Sequence, residues 1–451
     1  MNARYSRWRL TVRLCAACML VANMVAGPAT AQDLLNYYNI ALKNDPQFRG
    51  AKYDHMSSRE ILRQAYAGLL PQINADVSYT LSYQDVLSSD NTVYAVGSTN
   101  YDTQSYGVTL TQPLFRYSSF LAVSQAKSSL KRADMELEKE RQDLILRVVE
   151  AYMNLLTLED KLTAVAAEET ALTSHSALAA ERTDRGLAPI MDRYDTEARL
   201  AAVTAQRVEM EYAIKDGKQA LSEICNVPVQ DIKKLKENIP LTVPFPQNVD
   251  SWIEASLKQN LEIQIQKYKV EIADKEIERQ KAGHYPNIDF QADYAMKDSA
   301  GSLFGGGSQT STYNLMFKLS LPLYEGGLRT SKTREAVNSR ASSVETATKL
   351  TRSTERKARS TYNAVLSAIN RVSAMKKSVE AQQLVVSAKE EGFKAGMLIG
   401  LAVLDAAQDL YKYKREYSQA RNDYILNMIR LKYVAGTLGE DDVKQIDSLL
   451  Q

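Results

Sequence analysis

The feature that most constrains this chain is a strictly alternating stretch that follows Pro71. From Ile73 to Gln84, every odd-numbered residue is apolar or aromatic and every even-numbered residue is polar. A period of two places successive side chains on opposite faces of a β-strand. The run is longer than most strands of globular proteins, but its length suits a tilted strand that crosses a lipid bilayer.

Three more alternating runs occupy residues 105–111, 287–297 and 313–321. One such run would fit an ordinary half-buried antiparallel sheet. Four runs flanked by very long helices leave no second sheet to pack against, so a membrane barrel with a polar lumen is the better interpretation. The charged residues on the polar faces, which we expect in that lumen, are Asp76, Asp289, Asp293, Lys297 and Lys318.

Residues 1–31 have the pattern of a secretory signal peptide. Four arginines precede a short apolar core over 14–26, and Ala29-Thr30-Ala31 has the small residues of a cleavage site. A membrane-spanning helix would need about 20 apolar residues, and this core is shorter. A lipoprotein signal that uses Cys18 is disfavoured because Arg13 leaves too short an apolar core before it.

Charge argues against a nucleic-acid partner, and cysteine content argues against an internal disulfide. The whole chain has a formal net charge of +2, and removal of the arginine-rich signal makes the mature chain slightly acidic, so no nucleic-acid partner is indicated. Cleavage also leaves Cys225 as the only cysteine, and a single thiol cannot form an internal disulfide. Stability must therefore come from burial and assembly.

Two long segments, 118–185 and 328–391, contain neither Gly nor Pro. A continuous helix over the first of them would span about 100 Å. Its centre carries one coiled-coil seam from Leu144 to Val165 and a second, shorter seam from Ile145 to Leu156. Two adjacent seams would let the helix contact a neighbour on each side, whereas the alternative is one wide apolar stripe on a single core.

The second half of the chain repeats the first. Pro286-Asn287-Ile288 follows Pro71-Gln72-Ile73 at an offset of 215, and Gly396 follows Gly186 at an offset of 210. A nearly constant offset indicates an internal duplication. The predicted organisation is a first repeat over 32–226, a linker over 227–249, a second repeat over 250–438 and a tail over 439–451. We expect polar loops between the paired strands, the first over roughly 85–104.

Four strands cannot close a barrel, and an open sheet edge in hydrocarbon costs several kcal/mol for each unpaired group. The chain must therefore share strands with copies of itself. Two copies would give eight strands and a filled interior, whereas three would give twelve and leave room for a lumen. A trimeric conduit prolonged by the long helices follows from these constraints.

The mature sequence resembles the TolC-like outer membrane factors over almost its full length. The most specific matches are Gly392-Phe393-Lys394-Ala395-Gly396, Val403-Leu404-Asp405-Ala406 and Ala435-Gly436-Thr437-Leu438. The resemblance implies an α+β membrane protein: a trimeric 12-stranded outer-membrane β-barrel, four strands per chain, continued by a periplasmic α-helical barrel. It also implies export of proteins or small molecules, with a periplasmic adaptor and an inner-membrane ABC or RND transporter as partners, and contact with outer-membrane lipid.

The same resemblance suggests site residues at the tips of the helical hairpins. The pore constriction would involve Asp405, Ala402, Asp192, Phe393 and Leu398, and the adaptor-contacting tips Gly186, Leu187, Gly396 and Met397. Three copies of Asp405 would form an acidic ring, which favours bound cations or an open state. This chain departs from the family pattern in lacking a second pore aspartate at Ala402, a gate tyrosine at Phe393 and a gate arginine at Leu398. We therefore expect the closed state to depend more on packing than on polar links, while an ordinary solvated helix position remains the alternative for Asp405.

No enzyme chemistry or cofactor is indicated. His55, His175 and His284 are scattered, without metal-ligand spacing. The alternative function is a periplasmic coiled-coil adaptor or scaffold without a pore. Within the channel class, the tip stretch 185–195 and the absence of a lipidated cysteine favour type I protein secretion over small-molecule efflux, which remains open.

Overall fold

The computed structural model describes residues 33–88, 96–301 and 306–451. The predicted signal peptide lies outside the described residues. Within the described residues, no α-helix combines the length and the apolar character needed to span a membrane.

The elements follow one another in two similar series. The first series is α1 (Leu34–Asn44), α2 (Pro46–Ala67), β1 (Gln72–Val86), β2 (Gly97–Phe115), α3 (Tyr117–Asp184) and α4 (Ile190–Cys225). The second series is α5 (Val249–Gln259), α6 (Leu261–Lys281), a short 3₁₀ turn (Ala282–His284), β3 (Asn287–Ser299), β4 (Ser308–Ser320), α7 (Leu328–Lys394), α8 (Gly400–Ala435) and α9 (Glu440–Asp447). Helices α3 and α7 contain 68 and 67 residues, so both predicted long helices are confirmed.

The element bounds confirm the internal duplication. Both ends of helix α1 coincide with those of α5 at an offset of 215, and α2 and α6 begin at the same offset. Asp45 explains the break between the first two helices. Its Oδ2 accepts a hydrogen bond from Phe48 N at 2.7 Å, which caps α2, while Pro46 occupies the first turn, where no backbone donor is required.

The chain divides into two compact units, each made of separate segments. The helical unit contains the described residues up to Arg49, then Glu140–Asn260 and Thr354–Gln451. The sheet unit contains Gly50–Lys139 and Leu261–Ser353, apart from the gaps given above. Each unit contains segments from both repeats. The units therefore do not test the repeat boundaries at 226, 249 and 438, which stay a prediction.

The core of the helical unit surrounds the middle of α3. Both coiled-coil seams are largely buried between residues 144 and 156. Over these residues they form one wide apolar stripe that is covered within a single chain. Each fully buried aliphatic side chain of this kind stabilises the fold by about 1.5–3 kcal/mol. Gly217 of α4 allows close approach, since a Cβ there would lie 3.3 Å from Leu158 Cδ1 and 3.4 Å from Leu155 Cδ1.

The C-terminal tail contains a helix and a pairing with the linker. Residues 440–447 form α9, and the end of the chain pairs with the linker through an antiparallel bridge between Leu235 and Leu450. Gln451 N donates to the carbonyl oxygen of Lys234 at 2.8 Å, and Lys234 N donates back at 3.1 Å. This pairing joins the segments that the sequence analysis described as the linker and the tail.

In the sheet unit, the four strands form one antiparallel sheet in the order β1-β2-β3-β4. The pairing of β1 with β2 extends from Gln72–Thr111 to Val86–Gly97, so both strands extend into the predicted loop. The predicted loop bounds of 85 and 104 were wrong because polar residues such as Asn100 and Asp102 hide the alternation, although they pair in register with β1. Residues 89–95 of that predicted loop lie outside the described residues. The α+β fold class is confirmed.

Candidate functional site

Two helical hairpins of the helical unit end in turns of the same geometry. In the first turn, Gly186 has φ +69°, Leu187 N donates to Arg182 O at 2.8 Å and Gly186 N donates to Thr183 O at 2.9 Å. This six-to-one and five-to-two bonding is a Schellman motif, which needs a left-handed residue and so favours glycine. The turn therefore satisfies the last carbonyl groups of α3 before Pro189, the N-cap residue of the return helix α4.

The second turn repeats the first at an offset of 210. Gly396 has φ +74°, Met397 N donates to Gly392 O at 2.9 Å and Gly396 N donates to Phe393 O at 3.0 Å. Leu187 and Met397 occupy matching positions and are 65% and 76% exposed. Each hairpin thus ends in a rigid turn that presents a large apolar side chain to solvent.

A cleft of about 460 Å³ lies between these two turns, and we call it the tip cleft. Its lining is mainly apolar, with His175, Arg182, Asp192 and Asp195 as titratable members. Five of the predicted site residues line it, namely Asp192, Phe393, Leu398, Leu187 and Gly396. The sequence-predicted residues that do not line the cleft are Gly186, Met397, Ala402 and Asp405.

Phe393 is held in the tip cleft by packing rather than by hydrogen bonds. The Arg182 guanidinium lies 5.0 Å from the centre of its ring, within the range of a cation–π contact. Leu398 packs so closely on Gly392 that a Cβ at residue 392 would lie 2.9 Å from Leu398 Cδ1. The second tip therefore depends on a glycine, a leucine and an aromatic ring in contact.

Asp405 lies outside the tip cleft, one turn into α8, and is paired inside its own chain. Arg199 Nη1 donates to Asp405 Oδ1 at 2.7 Å, and Arg199 Nε donates to Asp195 Oδ2 at 2.9 Å. Burial by itself lowers the pKa of the Arg199 guanidinium, but the hydrogen bonds and charges of Asp405 and Asp195 outweigh it and raise that pKa. The Arg199 guanidinium therefore pairs with two carboxylates, those of Asp195 and Asp405.

Ala402 and Asp192 occupy equivalent places in the two repeats. Ala402 N donates to Ile399 O and Asp192 N donates to Pro189 O, both at 3.1 Å, in the first turns of α8 and α4. The carboxylate that the second repeat lacks at Ala402 is therefore present at the matching position of the first repeat.

Sequence reasoning missed Arg199 and a buried charge pair farther along the same helices. Arg415 Nη1 donates to Glu168 Oε2 at 2.6 Å, and their side chains are only 17% and 4% exposed. The spacing of Asp195 and Arg199 by four residues could have indicated their contact. The contact between Arg199 and Asp405 depends on how the two hairpins pack, which a single sequence does not reveal.

The sheet unit places all five predicted lumen residues on one face. Directly paired residues of an antiparallel sheet point to the same side, and the register sets Asp289 opposite Lys318 and Asp293 opposite Thr109 and Asn314. Asp76 and Lys297 fall on this polar face by the same register. At its start, Arg116 makes two 2.8 Å hydrogen bonds to the Asp289 carboxylate.

The opposite face of the sheet is apolar and exposed in a single chain. Val77, Leu81, Leu315 and Phe317 are each more than 70% exposed. The outer edges of β1 and β4 pair with no other described strand. A long sheet with one exposed apolar face and two open edges is unstable in water as a free surface.

Among the described residues, no group of three or more His, Cys, Asp or Glu side chains is arranged to bind a metal ion.

Comparison with known proteins gives consistent matches over nearly the whole chain. The family model described as outer membrane efflux protein matches residues 37–227 and 252–437. Proteases secretion protein PrtF of Dickeya chrysanthemi is 27% identical over 435 residues, which are 96% of this chain and 94% of that protein. Outer membrane protein TolC of Vibrio cholerae is 27% identical over 423 residues, which are 93% of this chain and 94% of that protein.

The fold is also similar to solved structures. The outer membrane protein VceC from Vibrio cholerae aligns with a TM-score of 0.76 over 89% of this chain and 96% of that chain. The sequence identity in that alignment is 18%, so the likeness speaks for the fold alone.

Proposed function

This chain belongs to the outer membrane efflux protein family, and from that membership we propose that copies of it form an export channel across the bacterial outer membrane. The channel carries cargo from an inner-membrane transporter to the exterior and extends into the periplasm. The relatives compared above are described as secretion and outer membrane proteins rather than as enzymes, which supports a transport role without chemistry at the site.

The sheet is the single observation that carries this proposal. It has one polar face, one exposed apolar face and two open edges, a combination that is stable in a bilayer once the sheet closes. Three chains would supply twelve strands, enough for a lumen lined by Asp76, Asp293, Lys297 and Lys318. A homotrimer is therefore the assembly we propose.

The tip of the helical unit is the proposed gate and docking site. Leu187 and Met397 present apolar side chains beside Gly186 and Gly396, which suits contact with the helical hairpin of a periplasmic adaptor protein. Packing of Phe393 and Leu398 around the tip cleft supports a closed state that depends on apolar contact. Asp405, with Arg199 and Asp195 beside it, is the charged group that we place at the constriction of the trimer, and Asp192 and Ala402 are its neighbours there.

Type I protein secretion is the cargo class that we propose. It is supported by the likeness to PrtF, which is named as a protease secretion protein, and by the tip stretch 185–195. Small-molecule efflux is the second candidate, and the description of the matching family favours it.

The two cargo classes are separated by deleting the gene in its own bacterium. Secretion predicts that specific proteins disappear from the culture medium and return when the gene is restored, with little change in drug sensitivity. Efflux predicts the reverse: increased sensitivity to dyes, detergents and antibiotics with an unchanged set of secreted proteins.

The assembly is tested by fractionation and mass. A channel should sediment with outer membranes and be isolated in detergent as three chains that separate on heating. An adaptor or scaffold without a pore, which is the rival class, would be extracted without detergent, and that outcome would remove the proposal.

A further inference from the structure

Three ionisable side chains line the tip cleft without a polar partner. His175 and Arg182 lie two turns apart on the same face of α3, and Asp192 lies in the first turn of α4. All three are half-buried. Among the described residues, none of their side chains makes a hydrogen bond or an ion pair, and the Arg182 guanidinium lies over the ring of Phe393 instead. Their polar atoms are therefore available to a ligand.

The internal duplication shows that the hairpin does not need these charges. Helices α4 and α8 match at both ends at an offset of 210, as do the two glycine turns. At this offset the three ionisable residues correspond to uncharged ones, His175 to Val385, Arg182 to Gly392 and Asp192 to Ala402. The second repeat forms a Schellman turn of the same geometry without them. Folding of the hairpin therefore does not explain their presence in the first repeat.

Helix stabilisation does not account for Asp192 either. A carboxylate in the first turn of a helix interacts favourably with the helix dipole. Helix α8 has no acidic residue in its first turn, yet it contains 36 residues, as α4 does. Asp192 lies at the wall of a mainly apolar cleft rather than on an open helix face, which favours a role in binding.

The other walls of the tip cleft suit an apolar ligand. Leu178 lies between the two ionisable positions of α3, and the second hairpin contributes Phe393, Leu398 and Leu401. The volume of about 460 Å³ falls in the range of small-molecule sites. Such sites combine apolar walls with a few convergent polar groups that orient the ligand. The tip cleft has this combination.

We propose that the tip cleft binds a zwitterionic ligand with an apolar frame, namely a short peptide of apolar residues with both ends free. The carboxylate of the ligand pairs with Arg182, whose planar fork of donors matches it, and the ammonium group pairs with Asp192. His175, on the same face of α3 as Arg182, offers a further polar group to the carboxylate end. Asp195 also lines the cleft, but its carboxylate is already bonded to Arg199.

A ligand with both charges fits this cleft better than a ligand with one. A purely cationic ligand would displace water from Arg182 without replacing its hydrogen bonds, and a purely anionic ligand would do the same to Asp192. The opposite charges of the two residues attract the two ends of a zwitterion. A segment within a longer chain has no free ends, so this ligand differs from an adaptor hairpin docked at Leu187 and Met397.

The ligand contacts both hairpins when it is bound. Arg182 and Asp192 belong to the first hairpin, whereas Phe393 and Leu398 belong to the second and line the same cleft. A ligand that binds one arrangement of the hairpins stabilises it over arrangements in which they separate. Binding therefore holds the two tips together.

Titration calorimetry of the purified, detergent-solubilised protein at pH 7 tests the charge requirement. The probe is phenylalanyl-leucine, and its N-acetyl form, its amide and its doubly blocked form remove the ammonium, the carboxylate or both from one apolar frame. The free dipeptide should bind at least about tenfold more tightly than any blocked form, because charged hydrogen bonds contribute at least this much. Equal affinities for all four would show a plain apolar groove and overturn the proposal.

Variants assign each charge to its end of the ligand. Asp192→Asn should remove the preference for a free amine, so that the free and N-acetylated dipeptides bind alike, and keep the preference for a free carboxylate. Arg182→Gln should do the reverse. Asp184→Asn and Arg185→Gln are the matched controls, because they remove the same charges beside the same turn but outside the cleft. Both preferences intact in Asp192→Asn and Arg182→Gln would contradict the assignment, and the four probes decide on the unmodified protein where a variant does not fold.

Limited proteolysis at the tips tests whether the ligand joins the hairpins. At ten times its dissociation constant, the free dipeptide should slow cleavage about tenfold, whereas a blocked form at the same concentration should slow it about twofold. Asp192→Asn should lose this difference, which separates occupancy of the cleft from inhibition of the protease. Binding without protection would overturn the joining of the hairpins. A protein that conducts but binds no probe would refute this site alone, whereas binding without conductance would support the site and remove the proposed channel.

Discussion

Replacement of Arg199 by Gln should make the channel more cation-selective. In each chain, Arg199 lies between Asp195 and Asp405, so two carboxylates and one guanidinium leave a local charge of −1. Arg199→Gln changes this local charge to −2, and Asp405→Asn changes it to zero. The double variant returns it to −1 and therefore serves as the matched control.

Coulomb's law sets the size of the effect. A monovalent cation about 7 Å from one additional unit of net negative charge gains roughly 0.6 kcal/mol in bulk water, which corresponds to about a threefold higher local concentration. Three copies around one constriction add to this effect. Screening reduces it, since the Debye length falls from about 10 Å at 0.1 M salt to about 3 Å at 1 M.

Reversal potentials in planar bilayers across a potassium chloride gradient measure this selectivity. At 0.1 M salt, cation selectivity should be highest for Arg199→Gln and lowest for Asp405→Asn, with the unmodified channel and the double variant between them. The differences should shrink at 1 M salt. Equal selectivity in all four proteins would refute the placement of this cluster at the constriction.

Three further predictions concern stability and reactivity. Arg415→Met leaves the buried Glu168 carboxylate without its partner, which should destabilise the fold by about 3–5 kcal/mol and lower the melting temperature measured by circular dichroism. Adding Glu168→Gln should recover part of this loss, whereas an unchanged melting temperature for the single variant would show that the pair is not buried. Gly186→Ala forces a left-handed backbone onto alanine and should destabilise the tip by about 1–2 kcal/mol, whereas Gly50→Ala, inside helix α2 with open space around it, should stabilise that helix by up to about 1 kcal/mol. Proteolysis at the tip should therefore be faster for Gly186→Ala than for Gly50→Ala, and equal rates of cleavage would contradict the strain at residue 186. Burial raises the pKa of the Cys225 thiol to about 11, so the stability that this thiol contributes is complete below its unfolded pKa and is lost as pH rises through 11. N-ethylmaleimide at pH 8 should modify the thiol only after unfolding, and rapid labelling of the folded protein would show that it is not buried.

The fold was largely predictable because its signals are local and repeated. Alternation over Ile73–Gln84 identifies a strand wherever it occurs, and a segment as long as 118–185 without Gly or Pro identifies a long helix. The extension of β2 back to Gly97 was missed because both of its faces are polar there, so only the pairing with β1 reveals the strand. The order of the tail, with Gln451 bonded to Lys234, depends on a contact between distant segments that no local pattern encodes.

The sequence predicts which residues lie near the hairpin tips but not which of them are in contact. The glycine turns at Gly186 and Gly396 are visible in the sequence because a left-handed residue is needed where a long helix ends. The role of Arg199 was not visible, because its distance to Asp405 is set by the packing of two hairpins that are far apart in the chain. An acidic ring of isolated aspartates was accordingly the sequence-based expectation, and each chain instead supplies a carboxylate that is already paired.

Single-channel conductance of the purified, detergent-solubilised protein in planar lipid bilayers tests whether the chain forms a pore. Long-lived pores of uniform unit conductance should appear, formed only by the assembled trimer and lost when heating separates its chains. A folded protein that inserts no pores under these conditions would contradict pore formation by this chain.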